Sequence, residues 1–225
     1  MKPNAFGAHA SSSYAEGPPR QVPGYASLHR MVSMLLAERT PEDGHVMVLG
    51  AGGGLELKAF AEAHAGWTFD GIDPSTDMLE LARQAVGPHI ERIDLHHGYI
   101  DATPGGPFDA ATSLLTFHFI PHEERLDTLR QIRRRLKPGA PFVLAHISFP
   151  QTEPERSEWI ARHVAWSAAA GMSDAQREAS RQAIGTRLSI LSPDQEETML
   201  REAGFADVSL FYAALSFRGW VAYAA

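Results

Sequence analysis

The stretch VMVLGAGGGLEL at residues 46–57, followed by FDGIDPSTDMLELAR at residues 69–83, decides the fold. Each segment begins with a short apolar run and then turns, the first at a row of glycines and the second at Asp73-Pro74. Each continues with apolar residues at helical spacing. Two strand–turn–helix units in succession predict a parallel sheet that helices cover on both faces.

The same alternation predicts the remaining strands. They are expected at 92–97, 108–115, 140–147, 205–213 and 215–223. The last two lie too close together for a crossover connection and must pair antiparallel. We therefore predict an α/β protein with a Rossmann-like, doubly wound sheet of seven mixed strands, six of them parallel and one strand of the C-terminal hairpin antiparallel.

Two segments depart from this alternation. Residues 11–24 are rich in Ser, Pro and Gly, which predicts a loop-like stretch within an N-terminal lid segment at 1–24. The main domain is then expected at 25–225. Inside it, about residues 152–185, the chain is rich in Ala, Arg, Glu and Gln and predicts an inserted helical cap.

Composition limits the possible functions. The chain has no cysteine, and nowhere do roughly 18 uncharged apolar residues run together, so we expect a cytoplasmic protein that does not cross a membrane. A net charge of −7 opposes attraction to phosphates, which predicts against nucleic acid as a partner. His96 and His97 are neighbours in a strand and point to opposite faces, so they cannot share a metal, and no metal is predicted.

The glycine turn and Asp73 together predict a nucleoside ligand. Glycines let a ligand approach the backbone closely, and an acid at the end of the second strand can accept hydrogen bonds from ribose hydroxyls. Asp73 follows Gly50 by roughly the 20 residues expected for that arrangement. Leu55 stands where a dinucleotide fingerprint needs its third glycine, which weakens the prediction of NAD.

These two segments, with GPFDAATSLLTFHFI at 106–120 and LRQIRRRLKPGAPFVLAHI at 129–147, resemble motifs I to VI of the class I methyltransferases that use S-adenosylmethionine (SAM). The resemblance implies that the glycine turn faces the methionine part of SAM, Asp73 holds the ribose, and residues 99–101 flank the adenine. The cofactor-binding residues it implies are Gly50, Ala51, Gly52, Asp73, Pro74, Met78, Tyr99, Ile100, Asp101 and Leu115.

Both flanks, including VPGY at 22–25 and EAGF at 202–205, resemble the carboxy-SAM synthase branch, whose product serves tRNA wobble-uridine modification. This implies that the N-terminal segment folds over the cofactor, that Tyr25 lines its methionine end, and that the inserted helices join a homodimer. Ser189 falls where that branch has a carboxylate-reading arginine, and Val48 where motif I usually has an acid.

We therefore predict a SAM-dependent methyltransferase that acts on a small-molecule acceptor. A carboxy-SAM synthase-like enzyme and a non-catalytic SAM-binding protein are the alternatives, and an NAD-dependent oxidoreductase is the weakest. An acceptor hydroxyl or protonated amine needs a base, for which His118 is the first candidate and Tyr14 a second, with His122 and His146 as further options. A histidine among apolar residues is, however, more often structural. Four aromatic residues could line an apolar acceptor pocket, although packing in the core is the more common role for each: Phe117, Phe119, Trp159 and Trp166.

Overall fold

The structure of the protein is a computed structural model that describes residues 17–168 and 172–225. These residues form seven strands, β1 (His45–Leu49), β2 (Thr68–Asp73), β3 (Ile93–His97), β4 (Ala110–Leu114), β5 (Pro141–Ile147), β6 (Phe205–Ala214) and β7 (Phe217–Ala224). They make one sheet in the order β3-β2-β1-β4-β5-β7-β6. Since β7 pairs antiparallel with both β5 and β6, the other six strands run in one direction, and the predicted sheet is confirmed.

The helices alternate with the strands as predicted. They are α1 (Gly17–Gln21), α2 (Tyr25–Ala37), α3 (Leu55–Ala63), α4 (Thr76–Val86), α5 (His122–Arg135), α6 (Glu155–Ser167), α7 (Asp174–Arg187) and α8 (Pro193–Glu202). Helices α6 and α7 occupy the predicted insertion, and α7 begins with a capping box between Ser173 and Gln176. The prediction of a loop is wrong at residues 17–21, where α1 forms.

Two apolar layers pack on opposite faces of the sheet. In β1, Val48 points into the layer that includes α2 and α3, whereas Met47 points into the layer that includes α5 and α8. This alternation follows from the period of two in a strand. Burial on both faces explains why the central strands are almost wholly apolar.

The strand order places a crevice at the centre of the sheet. From β1, the chain crosses to β2 on one side, and the next strand to pair with β1 on the other side is β4. In an open α/β sheet, ligands bind beyond the carboxyl ends of the strands where the order reverses. The turn after β1 and the end of β4 meet at that point.

A hydrogen bond ties the start of the described chain to the far edge of the sheet. The Tyr212 hydroxyl of β6 donates to the carbonyl of Pro23, between α1 and α2. We expect Tyr212→Phe to lower the free energy of unfolding by about 1 kcal/mol, because one intramolecular hydrogen bond is lost. Urea unfolding would measure this. Tyr223→Phe is the control, since its hydroxyl makes only a long 3.4 Å contact with Glu38, and equal losses in both variants would contradict the prediction.

Candidate functional site

A cavity of about 360 Å³ opens at the carboxyl ends of β1, β2 and β4. Its volume falls within the roughly 300–1,000 Å³ typical of small-molecule sites. Of the residues predicted to bind cofactor, eight line it: Tyr25, Gly50, Ala51, Gly52, Asp73, Pro74, Met78 and Leu115. The candidate base His118 lines it as well.

The three alternating glycines of the turn have backbone conformations that suit glycine. Gly50, Gly52 and Gly54 have φ values of 84°, 49° and 78°. A Cβ on Gly50 would also lie 2.0 Å from the hydroxyl oxygen of Thr116, at the end of β4. The spacing of the glycines therefore follows from the shape of the turn and from how closely the chain after β4 approaches it.

Asp73 holds this turn in place. Its Oδ2 accepts a hydrogen bond of 2.9 Å from the backbone N–H of Gly52, and its Oδ1 accepts one of the same length from Ser75. Burial raises the pKa of Asp73 above its ordinary value, while these two N–H groups and His97 act in the opposite direction. Each carboxylate oxygen keeps a second lone pair for a ligand hydroxyl.

The chain leaves β4 in an unusual conformation. Leu115 has a φ of 57°, a left-handed value that is strained for a residue with a side chain. A short 3-10 turn, Phe117–Phe119, follows and brings His118 to the cavity. The strained residue thus lies three positions before the candidate base.

His118 has an unsatisfied ring nitrogen. It is 5% exposed, and its Nδ1 is buried without a hydrogen-bond partner among the residues that the structure describes. Burial, with nearby His146, Arg125 and His163 adding to it, holds the pKa of His118 well below its ordinary 6.5. The imidazole is therefore neutral at physiological pH and able to accept a proton.

The inserted helices reach the cavity through His163 of α6. Its Nδ1 lies 2.6 Å from the Ser216 hydroxyl, and burial lowers the pKa of His163. Of the four aromatic residues considered for an acceptor pocket, Phe119 is among the lining residues. Trp159 stacks on Phe149, while Phe117 is buried in the core and Trp166 is 51% exposed.

The structure describes only part of the segment predicted to form the lid, residues 17–24. Gly17, Pro18 and Gln21 of α1 line the cavity, as does Val22. Tyr14, the second candidate base, lies outside the described residues.

The segment predicted to flank adenine starts beside Asp73. The backbone N–H of Gly98 donates to the carbonyl of Asp73 at 3.1 Å. Tyr99 is 66% exposed and Ile100 is buried in the core layer of α5. Neither these two nor Asp101 is among the described residues that line the cavity, and their adenine contact stays a prediction.

The other candidate bases lie away from the cavity lining. His146 is fully buried in β5, 3.4 Å from Glu196, which also pairs at 2.7 Å with the buried Arg125. His122 is exposed at the start of α5. These positions leave His118 as the candidate base that the described cavity contains.

Sequence reasoning missed three titratable residues of the cavity. His29 of α2, Glu56 of α3 and His163 all line it. Burial lowers the pKa of His29 to about 4 and raises that of Glu56 to about 8. Each stands in a helix beside strongly apolar neighbours, where the sequence pattern signals core packing.

Within residues 17–168 and 172–225, no three His, Asp or Glu side chains come together as a group that could hold a metal ion. No helix there has both the length and the apolar character needed to span a membrane. The predictions of a metal-free site, a homodimer and a cytoplasmic location stay predictions.

Comparison with known proteins agrees with this geometry. Residues 47–142 match a family described as a methyltransferase domain. These residues include the glycine turn, Asp73 and His118. Together with the fold, the match confirms the predicted resemblance to the class I SAM-dependent methyltransferases, and it agrees with the prediction of SAM as the cofactor.

Curated relatives point to one branch. A carboxy-S-adenosyl-L-methionine synthase of Chromohalobacter salexigens is 29% identical over 91% of this chain and 77% of its own length. Among solved structures, an O-methyltransferase family protein from Burkholderia thailandensis is 15% identical with a TM-score of 0.70, over 97% of this chain and 60% of its own. Human N-acetylserotonin methyltransferase in complex with SAM is 15% identical with a TM-score of 0.58, over the same shares. This chain therefore spans less than two thirds of both solved chains.

Proposed function

We propose that this protein transfers the methyl group of SAM to a small-molecule acceptor with an acidic hydroxyl, such as a phenol or an enol. The observation that carries this proposal is one cavity that joins the glycine turn and Asp73 to the buried, unsatisfied imidazole of His118. The glycine turn and Asp73 suit a nucleoside cofactor, and His118 suits removal of a proton from an acceptor.

In this proposal the binding residues fix the cofactor from two sides. The backbone from Gly50 to Gly52 faces its methionine part, with Tyr25 opposite, while Asp73 accepts hydrogen bonds from the ribose hydroxyls. Residues 99–101 flank the adenine, which the hydrogen bond between Gly98 and Asp73 supports. Methyl transfer then depends mainly on alignment and exclusion of water.

The chemistry of His118 selects the acceptor. The hydroxyl oxygen attacks the methyl carbon, the bond from that carbon to sulfur breaks, and the hydroxyl proton passes to the His118 ring. Because its lowered pKa makes the His118 ring a weak base, the ring can take a proton effectively only from an acidic hydroxyl and not from an aliphatic one. The apolar side chains of Phe119, Ile147 and Phe217 at this end of the cavity favour a compact, largely apolar acceptor.

The curated relatives favour a second candidate, synthesis of carboxy-SAM from SAM. That product carries an additional carboxylate, which needs a cation in a buried site. The described residues that line the cavity include Glu56 and Asp73 but no lysine or arginine. Ser189 is not in this lining either, and its carbonyl accepts a hydrogen bond from Arg125. These charges support SAM over its carboxylated derivative.

We expect the purified protein to bind SAM roughly tenfold or more tightly than carboxy-SAM, because like charges brought together in a desolvated site repel. Calorimetric titration with both compounds measures this, and mass analysis identifies any ligand that co-purifies. Incubation with methyl-labelled SAM and a panel of small phenols and enols then tests transfer. Tighter binding of carboxy-SAM, or its retention through purification, would replace the first candidate by the second.

A further inference from the structure

The side chain of Glu56 brings a buried carboxyl group to the cavity from beneath the glycine turn. Glu56 lies in the first turn of α3, directly after Gly54 and Leu55, and is 6% exposed. Side chains of a helix tilt toward its N-terminus, which directs Glu56 back toward the turn. Its Oε1 accepts a hydrogen bond from the hydroxyl of Thr112 in β4. Thr112 pairs in register with the apolar Val48 of β1.

No lysine or arginine among the described residues that line the cavity balances the charge of the Glu56 carboxylate. Among the described lining residues the titratable groups are Tyr25, His29, Glu56, Asp73, His118 and His163. Asp73 receives two backbone N–H groups, whereas Glu56 receives the Thr112 hydroxyl and takes part in none of the ion pairs found in the described residues. A buried carboxylate without a cation is strongly disfavoured, so Glu56 must keep a proton or meet a positively charged ligand.

We propose that Glu56 is the binding residue for the α-ammonium group of the cofactor's methionine part. The inference rests on SAM as the ligand. SAM has two cationic centres, and its sulfonium methyl must face the acceptor end near His118. The ammonium group lies at the methionine end, toward the glycine turn that Glu56 underlies. Burial raises the pKa of the Glu56 carboxyl to about 8, because the charged form is disfavoured away from water unless a positive charge lies beside it.

The variant Glu56→Gln tests this, because the amide keeps the shape and can still accept from Thr112 but carries no charge. S-adenosylhomocysteine has the ammonium group, and 5′-methylthioadenosine lacks it. At pH 8.5 we expect the variant to bind S-adenosylhomocysteine roughly tenfold or more weakly, as for loss of one hydrogen bond to a charged group, and to bind 5′-methylthioadenosine as the wild type does. Glu62→Gln, an exposed position on the same helix, is the matched control.

The outcomes separate this inference from the proposed function. Equal affinity of Glu56→Gln and wild type for both compounds overturns the ammonium contact and leaves SAM binding intact. An equal loss for both compounds also overturns it, because the carboxyl then supports the cavity as a whole. Failure of the wild type to bind either compound overturns the proposed function itself.

Proton release is a second readout. With a pKa of about 8, the Glu56 carboxyl is mainly protonated at lower pH and must lose its proton to pair with the ammonium group. Affinity for S-adenosylhomocysteine should therefore fall as pH is lowered from 8 to 6, by at most about tenfold per unit. Asp73, His29, His118 and His163 remain in Glu56→Gln, so the difference between the two pH profiles isolates Glu56. Identical profiles would overturn the proposal.

Discussion

Asp73→Ala is expected to weaken binding of S-adenosylhomocysteine by roughly 100-fold. A hydrogen bond to a charged group contributes about 1.5–3 kcal/mol, and each 1.4 kcal/mol is tenfold in affinity. The proposed ribose contact uses the free lone pairs of a carboxylate whose two oxygens already accept from Gly52 and Ser75. Removing the Asp73 carboxylate abolishes the ribose contact and also the hydrogen bond that holds the glycine turn. Calorimetry with S-adenosylhomocysteine measures the effect.

Two variants make this result interpretable. Asp77→Ala, at an exposed position in the first turn of α4, removes a nearby carboxyl and should leave affinity within about twofold. Asp73→Asn keeps the shape and one acceptor oxygen, and should fall between the wild type and Asp73→Ala. If Asp73→Ala binds S-adenosylhomocysteine as tightly as the wild type does, Asp73 does not contact the ribose and the proposed contact is wrong.

The sequence predicted the sheet well because the physical signal for it is strong. The apolar run VMVL at 46–49 lies within β1, because an apolar run that ends at a row of glycines has few alternatives to a strand. Asp73 could be found because its role depends on position at a strand end. The hydrogen bond between Asp73 and Gly52 could not be predicted from the sequence. That contact joins two turns, and only the folded sheet fixes how the two turns lie relative to each other.

The error at α1 has a local cause. The sequence GPPRQ has the composition of a loop, yet proline fits the first turn of a helix, where its missing N–H needs no partner. The composition of this segment favours a loop, but its prolines stand in the first turn, where they are compatible with a helix. Contact of α1 with the cavity could not be predicted from either.

The missed residues show that a sequence pattern can predict a helix face without predicting which of its side chains reach the cavity. Glu56 precedes Leu57 and Phe60 on a helix whose apolar face packs into the core. The pattern shows that such a face exists, but not that Glu56, next to it, turns toward a ligand cavity. His163 depends on how the inserted α6 docks against the sheet, which no local pattern encodes. For Trp159 the sequence allowed both core packing and a place in the acceptor pocket, and the structure shows it stacked on Phe149.

His118→Gln is expected to lower kcat for methyl transfer by roughly 100-fold or more, the usual contribution of a general base. Glutamine has a similar reach but cannot take up the proton, so affinity for S-adenosylhomocysteine should stay near the wild-type value. Labelled methyl transfer to the best acceptor of the phenol and enol panel measures kcat, and calorimetry measures the affinity. His122→Gln, an exposed histidine of α5, is the matched control and should keep full activity.

The pH dependence of kcat separates His118 from a base with an ordinary pKa. Because the pKa of His118 lies well below 6.5, its ring stays neutral as pH falls from 8 toward 6.5. At saturating SAM, kcat should therefore be level over that range, since a base is lost only when pH falls through its own pKa. A fall of kcat centred near pH 6.5 would identify a base with an ordinary pKa and exclude His118. An unchanged kcat in His118→Gln would leave transfer to alignment alone, with the buried imidazole serving the fold.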